Sequence, residues 1–217
     1  MAWHSTSREM NDPIPDPLIT PPPTVLGREE RWFSLGHRGA TIWLTGLPGS
    51  GKSTLAAGVE QRLVSQGQPA YRLDGDALRA GLNRDLGFDE AGRNENLRRV
   101  AEVARLFADA GLVAIVSAIS PLRAHRDLAR SLHHASGLLF MEVFVDTPIE
   151  VCEARDPKGH YAMARAGELA GFTGVGGVYE RPDAAELRLD PDRVEKNVDQ
   201  ILWRLDELSV PTPCKQG

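Results

Sequence analysis

The chain has 217 residues, of which 41% are hydrophobic and 25% charged, and its formal net charge is −5. Such a chain can form one globular domain with a sizeable core, and its negative charge gives no general argument for nucleic-acid binding. The longest apolar run, residues 112–119, is too short to span a bilayer, and the N-terminus has no signal-sequence pattern. Cys152 and Cys214 are far apart and lack metal-ligand spacing. We therefore expect a cytoplasmic protein whose partners are neither nucleic acid nor membrane.

Both ends of the chain are expected to lie outside the fold. Residues 1–23 are polar and rich in proline, which predicts a disordered N-terminal tail. Residues 24–36 predict one short helix that leads into a domain ending near residue 208. Residues 209–217 are assigned to a C-terminal tail.

Strand and helix patterns alternate from Gly39 onward. Runs of β-branched and aromatic residues predict five strands, at 41–46, 70–74, 112–118, 140–146 and 186–190. Helical spacing of apolar residues predicts helices at 52–67, 94–111, 121–134 and 191–208, and a capping box at Thr147–Glu150 predicts the start of another. This alternation predicts an α/β three-layer sandwich, with a five-stranded parallel sheet between two helical layers.

One long segment interrupts the alternation. Residues 156–185 are rich in glycine and show little apolar periodicity. Long inserts of this kind in a compact domain are usually functional, so we interpret the segment as a lid.

A phosphate-binding loop follows the first predicted strand. Residues 46–53 read GLPGSGKS and match G-x-x-x-x-G-K-[ST] between a strand and a helix, the context of a P-loop NTPase fold. Glycines let the backbone N–H groups face an anion at a helix N-terminus, where the partial charge is positive. The residues that we expect to bind ATP are Gly46, Gly49, Gly51, Lys52, Ser53 and Thr54.

Three of these side chains have separate expected roles. Lys52 is expected to reach the β- and γ-phosphates and to act in catalysis, and the Ser53 hydroxyl is expected to bind Mg²⁺. Thr54 is expected near the α-phosphate. ATP and Mg²⁺ are therefore the predicted cofactors.

The acidic side chains after the second strand separate the possible classes of P-loop protein. The sequence lacks the N-K-x-D motif by which a GTPase recognises guanine. The strand at 112–118 also does not end in the acidic pair that is found in many ATPases. Asp74 and Asp76 instead follow the second strand, where a carboxylate can hold a Mg²⁺-bound water or accept a proton from an attacking hydroxyl. A turn with a helix cap explains the same D-G-D sequence without catalysis.

Five stretches of the chain occur in a characteristic order, LTGLPGSGKST, LDGDALRAGLNRDLGF, AISP, CEARDPKG and FTG. In these stretches the chain resembles the adenylyl-sulfate kinase family, and the resemblance covers residues 24–208. It implies phosphorylation of the 3′-hydroxyl of adenosine 5′-phosphosulfate by ATP. It also implies a homodimer and allows coupling to a separate ATP sulfurylase.

The resemblance assigns further roles to matching positions. It implies that one of Asp74 and Asp76 is the base or the ligand of a Mg²⁺-bound water, and we favour Asp76 as the base. Lys158 is expected to act near the transferred phosphate or the acceptor, and Arg155 near the adenine of ATP. The remaining residues expected to contact the acceptor are Arg79, Phe88, Arg93, Asn96, Ile119, Ser120 and Phe172.

Ser120 has two interpretations. The resemblance raises the possibility of a phosphoserine intermediate, but Ser120-Pro121 also fits a helix N-cap or an acceptor contact. The chain departs from the family pattern at Ala77, Ala80, Gly92 and Gly176-Gly177. These departures keep open a kinase for another small hydroxyl acceptor and a catalytically weak nucleotide-binding partner of a sulfurylase.

Overall fold

The computed structural model describes residues 26–190 and 193–209. The predicted N-terminal tail, the predicted helix start at Pro191 and residues 210–217 of the predicted C-terminal tail lie outside the described residues.

Five parallel strands form one sheet. The strands are β1 (Ala40–Thr45), β2 (Ala70–Asp74), β3 (Val113–Ser117), β4 (Leu139–Val145) and β5 (Leu187–Leu189). Their spatial order is β2-β3-β1-β4-β5, and every strand pairing is parallel. This arrangement confirms the prediction of an α/β sandwich with a five-stranded parallel sheet. The prediction succeeded because continuous apolar strands are stable only when both faces of the sheet are covered.

Helices connect and flank the strands. They are α1 (Arg28–Leu35), α2 (Lys52–Ser65), α3 (Gly75–Ala80), α4 (Glu90–Ala110), α5 (Arg123–Ala135), α6 (Ile149–Arg155), α7 (His160–Arg165) and α8 (Val194–Ser209). One apolar cluster includes Leu55 of α2, Ile42 of the sheet and Ile201 of α8. A second, on the opposite face, includes Val100 of α4 and Trp43 of β1. None of the described helices is long and apolar enough to cross a membrane.

Two predicted helix starts were wrong in detail. Leu122 caps α5, so Ser120 and Pro121 precede that helix and do not begin it. Pro148 is the N-cap of α6, and no side chain caps its N-terminus. Thr147 instead donates its hydroxyl to the Ser50 carbonyl at 2.8 Å. The Thr147 side chain therefore binds the backbone of the phosphate loop and, contrary to the capping-box pattern, does not cap the helix.

The sheet determines the position of the candidate site. Because the strands are parallel, their carboxyl ends lie at one edge of the sheet. The segments after β1, β2, β3 and β4 are the phosphate loop, the DGD segment, the loop at 118–122 and the start of α6. Motifs that are far apart in the sequence are therefore brought to one edge.

Candidate active site

The phosphate loop is built by glycines with positive φ. Gly46, Gly49 and Gly51 have φ values of 153°, 74° and 101°, and Gly51 immediately precedes the first residue of α2. A Cβ atom at Gly46 would lie 2.7 Å from the Val145 carbonyl oxygen. Both the backbone conformation and the close approach of β4 thus require glycine here. The loop presents the N-terminus of α2 to a bound anion.

Lys52 is folded back onto this loop. Its side chain is buried, and Nζ donates to the carbonyl oxygens of Gly46 at 2.9 Å and Leu47 at 2.7 Å. Burial lowers the pKa of Lys52 to about 8. The carbonyl oxygens stabilise the charged form of Lys52 only in part, and the negative charge of a bound triphosphate would stabilise it further.

Asp74 is fixed by three donors. Its carboxylate accepts hydrogen bonds from the hydroxyls of Ser53 and Ser117, each at 2.9 Å, and from the backbone N–H of Asp76 at 3.0 Å. Burial alone would raise the pKa of Asp74, but the bonds from Ser117, Ser53 and the backbone hold it below its usual value. An ionised carboxylate thus lies beside the phosphate loop. Ser117 was not predicted, although its position at the end of an apolar strand was a usable signal.

Asp74 and Ser53 together form a donor set that suits Mg²⁺. Mg²⁺ prefers hard oxygen ligands and usually takes only one or two from the protein, with phosphates and water completing its shell. The Ser53 hydroxyl and an Asp74 oxygen lie 2.9 Å apart at the loop. This pair fits the predicted ion.

Asp76 has a different environment. It lies in the first turn of α3, largely exposed, and forms an ion pair with Lys158 of the predicted lid. The D-G-D segment is therefore a short helix and not only a turn: Asp74 caps it and Asp76 extends from it. The structure thus brings together two side chains that are 82 positions apart in the chain.

The arginines and aromatics predicted for the acceptor lie on α3, on α4, in the segment between these helices and in the predicted lid. The Arg79 guanidinium lies 4.3 Å from the centre of the Phe88 ring, which is 71% exposed. Burial and the neighbouring Arg93 lower the pKa of Arg79. Arg93 also donates to the Gly171 carbonyl of the lid at 3.2 Å. Two cations held this close are well placed to share an anion.

The other predicted contacts are less uniform. Phe172 lies in the lid and packs edge-on against Tyr161, with ring centres 5.0 Å apart. Arg155 of α6 is 3.5 Å from the Gly49 carbonyl of the phosphate loop. Asn96 is buried and its side-chain oxygen accepts a hydrogen bond from Asn83 at 3.0 Å. Thr54, on α2, is exposed.

Ser120 is buried in a strained loop. Its φ of 39° lies in the left-handed region, which residues other than glycine rarely adopt, and such a conformation costs on the order of 1–3 kcal/mol. Its hydroxyl accepts from the Trp43 indole at 3.1 Å and donates to the Thr45 hydroxyl at 2.9 Å. Neither partner is a base. The neighbouring Ile119 accepts from Thr45 through its carbonyl oxygen.

A surface ion pair lies between the acceptor-side segment and the next helix. Asp85 pairs with both terminal nitrogens of Arg99, at 2.8 and 3.0 Å. This pair connects the segment after α3 to α4, the helix that carries Arg93 and Asn96.

A family model matches most of the chain. Residues 38–190 match the family described as adenylylsulphate kinase. An adenylyl-sulfate kinase from Saccharomyces cerevisiae is 56% identical over 165 residues, which are 76% of this chain and 82% of that protein. A bifunctional enzyme CysN/CysC from Mycobacterium tuberculosis is 54% identical over 79% of this chain. The chain spans only 28% of the length of that relative.

A solved structure shows the same architecture. The structure of the Mycobacterium tuberculosis APS kinase CysC in complex with AMPPNP and APS is 54% identical in sequence. The two chains superpose with a TM-score of 0.77, covering 78% of this chain and 99% of the other.

Proposed function

This chain belongs to the adenylylsulphate kinase family, and on that premise we propose that it transfers the γ-phosphate of ATP to the 3′-hydroxyl of adenosine 5′-phosphosulfate. The products are ADP and 3′-phosphoadenosine 5′-phosphosulfate, so the reaction belongs to sulfate assimilation. The proposal covers the predicted domain at 24–208, with the lid at 156–185.

The observation that carries the proposal is the paired arrangement of the two carboxylates. Asp74 contacts the phosphate loop through Ser53, whereas Asp76, two residues later, contacts Lys158 of the lid. A carboxylate on the donor side and another beneath a closing lid are what phosphate transfer to a hydroxyl needs. We assign Asp74 to the Mg²⁺ shell with Ser53 and Asp76 to the proton of the 3′-hydroxyl.

The remaining residues bind and orient the two substrates. The loop amides and Lys52 hold the β- and γ-phosphates, with Thr54 beside the α-phosphate and Arg155 near the base of ATP. When bound, Mg²⁺ would neutralise phosphate charge between Ser53 and Asp74. This charge neutralisation and the loop contacts favour the in-line geometry that transfer requires.

The acceptor side is assigned by charge and shape. Arg79 and Arg93 suit the phosphosulfate, because guanidinium groups bind such oxygens in pairs, and Phe88 and Phe172 suit the adenine. Ile119 and Ser120 line the loop between the two substrates. Lys158 reaches this region from the lid, whose closure would exclude water and suppress hydrolysis of ATP.

ADP release tests the proposal directly. Purified protein with MgATP is assayed against adenosine 5′-phosphosulfate, adenosine 5′-phosphate, nucleosides and sugar acids, with Lys52→Ala as the inactive control. We expect rapid release only with adenosine 5′-phosphosulfate. Release with another acceptor alone indicates a kinase of different specificity, and no acceptor-dependent release indicates a nucleotide-binding partner; either result refutes the proposal.

We also propose that the protein self-associates as a homodimer and acts beside a separate sulfurylase. Support comes from an APS kinase of Thiobacillus denitrificans described as hexameric, which is 30% identical to this chain, and from the bifunctional relative. Light scattering on a sizing column measures the mass directly. A monomer at micromolar concentration refutes the dimer.

A further inference from the structure

A largely buried polar cluster surrounds Ser120, and its members other than Ser120 have no assigned role in the proposed reaction. We define it as the anchor cluster, which consists of Thr45, Ser120, Arg126, Glu142 and Tyr179. Three of its members belong to β1, α5 and β4, and the other two belong to the loop after β3 and to the returning end of the lid.

Thr45 is the centre of the anchor cluster. A hydroxyl has one proton to donate and two lone pairs to accept with, and Thr45 uses all three. It donates to the Ile119 carbonyl at 2.8 Å and accepts from the Ser120 hydroxyl at 2.9 Å. The remaining lone pair faces the Tyr179 hydroxyl at 3.0 Å. Burial raises the pKa of Tyr179 to about 12, so its hydroxyl keeps the proton that it donates.

Arg126 makes a second connection between the same two segments. Its guanidinium donates to the Ser120 carbonyl and to the Glu180 carbonyl, both at 2.8 Å. Arg126 is only 1% exposed, and Glu142 of the central sheet, 2.8 Å away, balances its charge. A backbone hydrogen bond from the Glu180 N–H to the Pro121 carbonyl, at 2.8 Å, joins the same two segments. The planar guanidinium therefore holds two separate carbonyl groups in one frame.

The other end of the lid is attached elsewhere. The Tyr161 hydroxyl in α7 donates to the Pro48 carbonyl of the phosphate loop at 3.0 Å. The outgoing limb of the lid thus contacts the ATP side of the site, and the returning limb contacts the loop of Ser120.

We propose that the anchor cluster is a positioning device for the acceptor: it holds the strained Ser120 loop and the returning limb of the lid as one unit. This inference rests on the proposed function. Ser120, on this account, is a positioning residue and not a nucleophile. Changes in the cluster should alter acceptor binding and leave ATP binding intact, whereas changes at Tyr161 should do the reverse.

The three tyrosines of the chain provide a matched test, because each Tyr→Phe change removes one hydroxyl and keeps the ring. Tyr179→Phe should raise the KM for adenosine 5′-phosphosulfate about fivefold, the equivalent of one lost hydrogen bond, with the KM for ATP unchanged. Tyr161→Phe should raise the KM for ATP instead. Tyr71 lies in β2, and its exposed ring stacks on Phe107. Tyr71→Phe should therefore change neither KM value.

Arg126→Lys is a further variant. It keeps the positive charge beside Glu142 but removes the planar guanidinium that donates to two carbonyl groups. It should raise the KM for the acceptor at least tenfold, more than Tyr179→Phe, since two carbonyl contacts are lost. Equal increases in both KM values, or a loss of thermal stability with neither KM changed, would overturn the proposal and leave the cluster a purely structural feature.

Hydrogen exchange separates this inference from the proposed reaction. In Tyr179→Phe and Arg126→Lys, amides at 119–124 and 178–182 should exchange faster together, while those at 158–165 stay protected. In Tyr161→Phe the pattern should reverse. If the wild-type protein does not use adenosine 5′-phosphosulfate, the proposed function fails, but joint exchange of the two segments still tests the coupling. Independent exchange refutes it.

Discussion

Lys52 connects protonation to nucleotide binding. Burial lowers its pKa to about 8 in the free protein, and a bound triphosphate should raise it again because opposite charge favours the protonated form. Below pH 8 the lysine is already charged. Above pH 8, ATP must bind together with a proton, so its affinity should fall by up to tenfold per pH unit.

Calorimetry at pH 9 in two buffers of different ionisation enthalpy measures this proton uptake. We expect uptake of close to one proton per ATP in the wild-type protein and none in Lys52→Ala. Equal heats in the two buffers for the wild type would contradict the assignment of the pKa to Lys52.

The two carboxylates should respond differently to amide substitution. Asp74→Asn weakens the oxygen set shared with Ser53, so the Mg²⁺ concentration for half-maximal rate should rise about tenfold. Asp76→Asn should leave this concentration unchanged and lower kcat by about 10²–10⁴, the usual contribution of a general base. Mg²⁺ titrations of both variants at saturating substrates give the comparison. A raised Mg²⁺ requirement in Asp76→Asn would exchange the two roles.

Ser120→Ala distinguishes positioning from covalent catalysis. The hydroxyl contacts Trp43 and Thr45 and has no base beside it. We therefore expect kcat within about threefold of wild type, and a stability loss of about 1–3 kcal/mol because two buried groups lose a partner. Rapid-quench mass spectrometry of the wild type should find unmodified Ser120. A phosphorylated Ser120 that forms and decays at the rate of turnover would contradict this role.

Within the lid, two adjacent glycines make different demands. A Cβ at Gly177 would lie 2.6 Å from the Gly171 carbonyl oxygen, whereas a Cβ at Gly176 would have no contact closer than 3.8 Å. Gly177→Ala should therefore open the turn after Phe172 and weaken acceptor binding, while Gly176→Ala should be neutral. Acceptor KM and limited proteolysis of the lid provide the measurements. Equal effects of the two changes would contradict the role of the close approach between Gly177 and Gly171.

The strands could be predicted from the sequence, but the short polar helix α3 and the start of α4 were missed. Buried parallel strands such as β3 are continuous apolar runs, and their boundaries in the structure lie within a residue or two of those predicted. Short polar helices such as α3 lack that signal, since α3 buries no residue and depends on the Asp74 cap. The start of α4 at Glu90 was also missed, because the prediction followed apolar spacing and overlooked Asp89, which caps the helix through the Gly92 N–H.

At the scale of the whole molecule, motif residues could be predicted because each motif is contiguous in the sequence. Lys52 and Ser53 follow from one loop pattern, and the structure places both at the sheet edge with Asp74. The anchor cluster has no such pattern. Thr45 and Tyr179 are 134 positions apart, and Arg126 resembles any helical arginine until its buried partners are known. Long-range contacts of this kind depend on the fold, which brings the loops together.

The position of the transferred phosphate distinguishes phosphorylation of the 3′-hydroxyl from every alternative reaction. The protein is incubated with MgATP and adenosine 5′-phosphosulfate, and the product is analysed by ³¹P NMR and mass spectrometry. We predict one new phosphate, on the 3′-oxygen, and no ADP release with the 3′-deoxy analogue. A phosphate at any other position, or ADP release that persists with the 3′-deoxy analogue, would contradict the account.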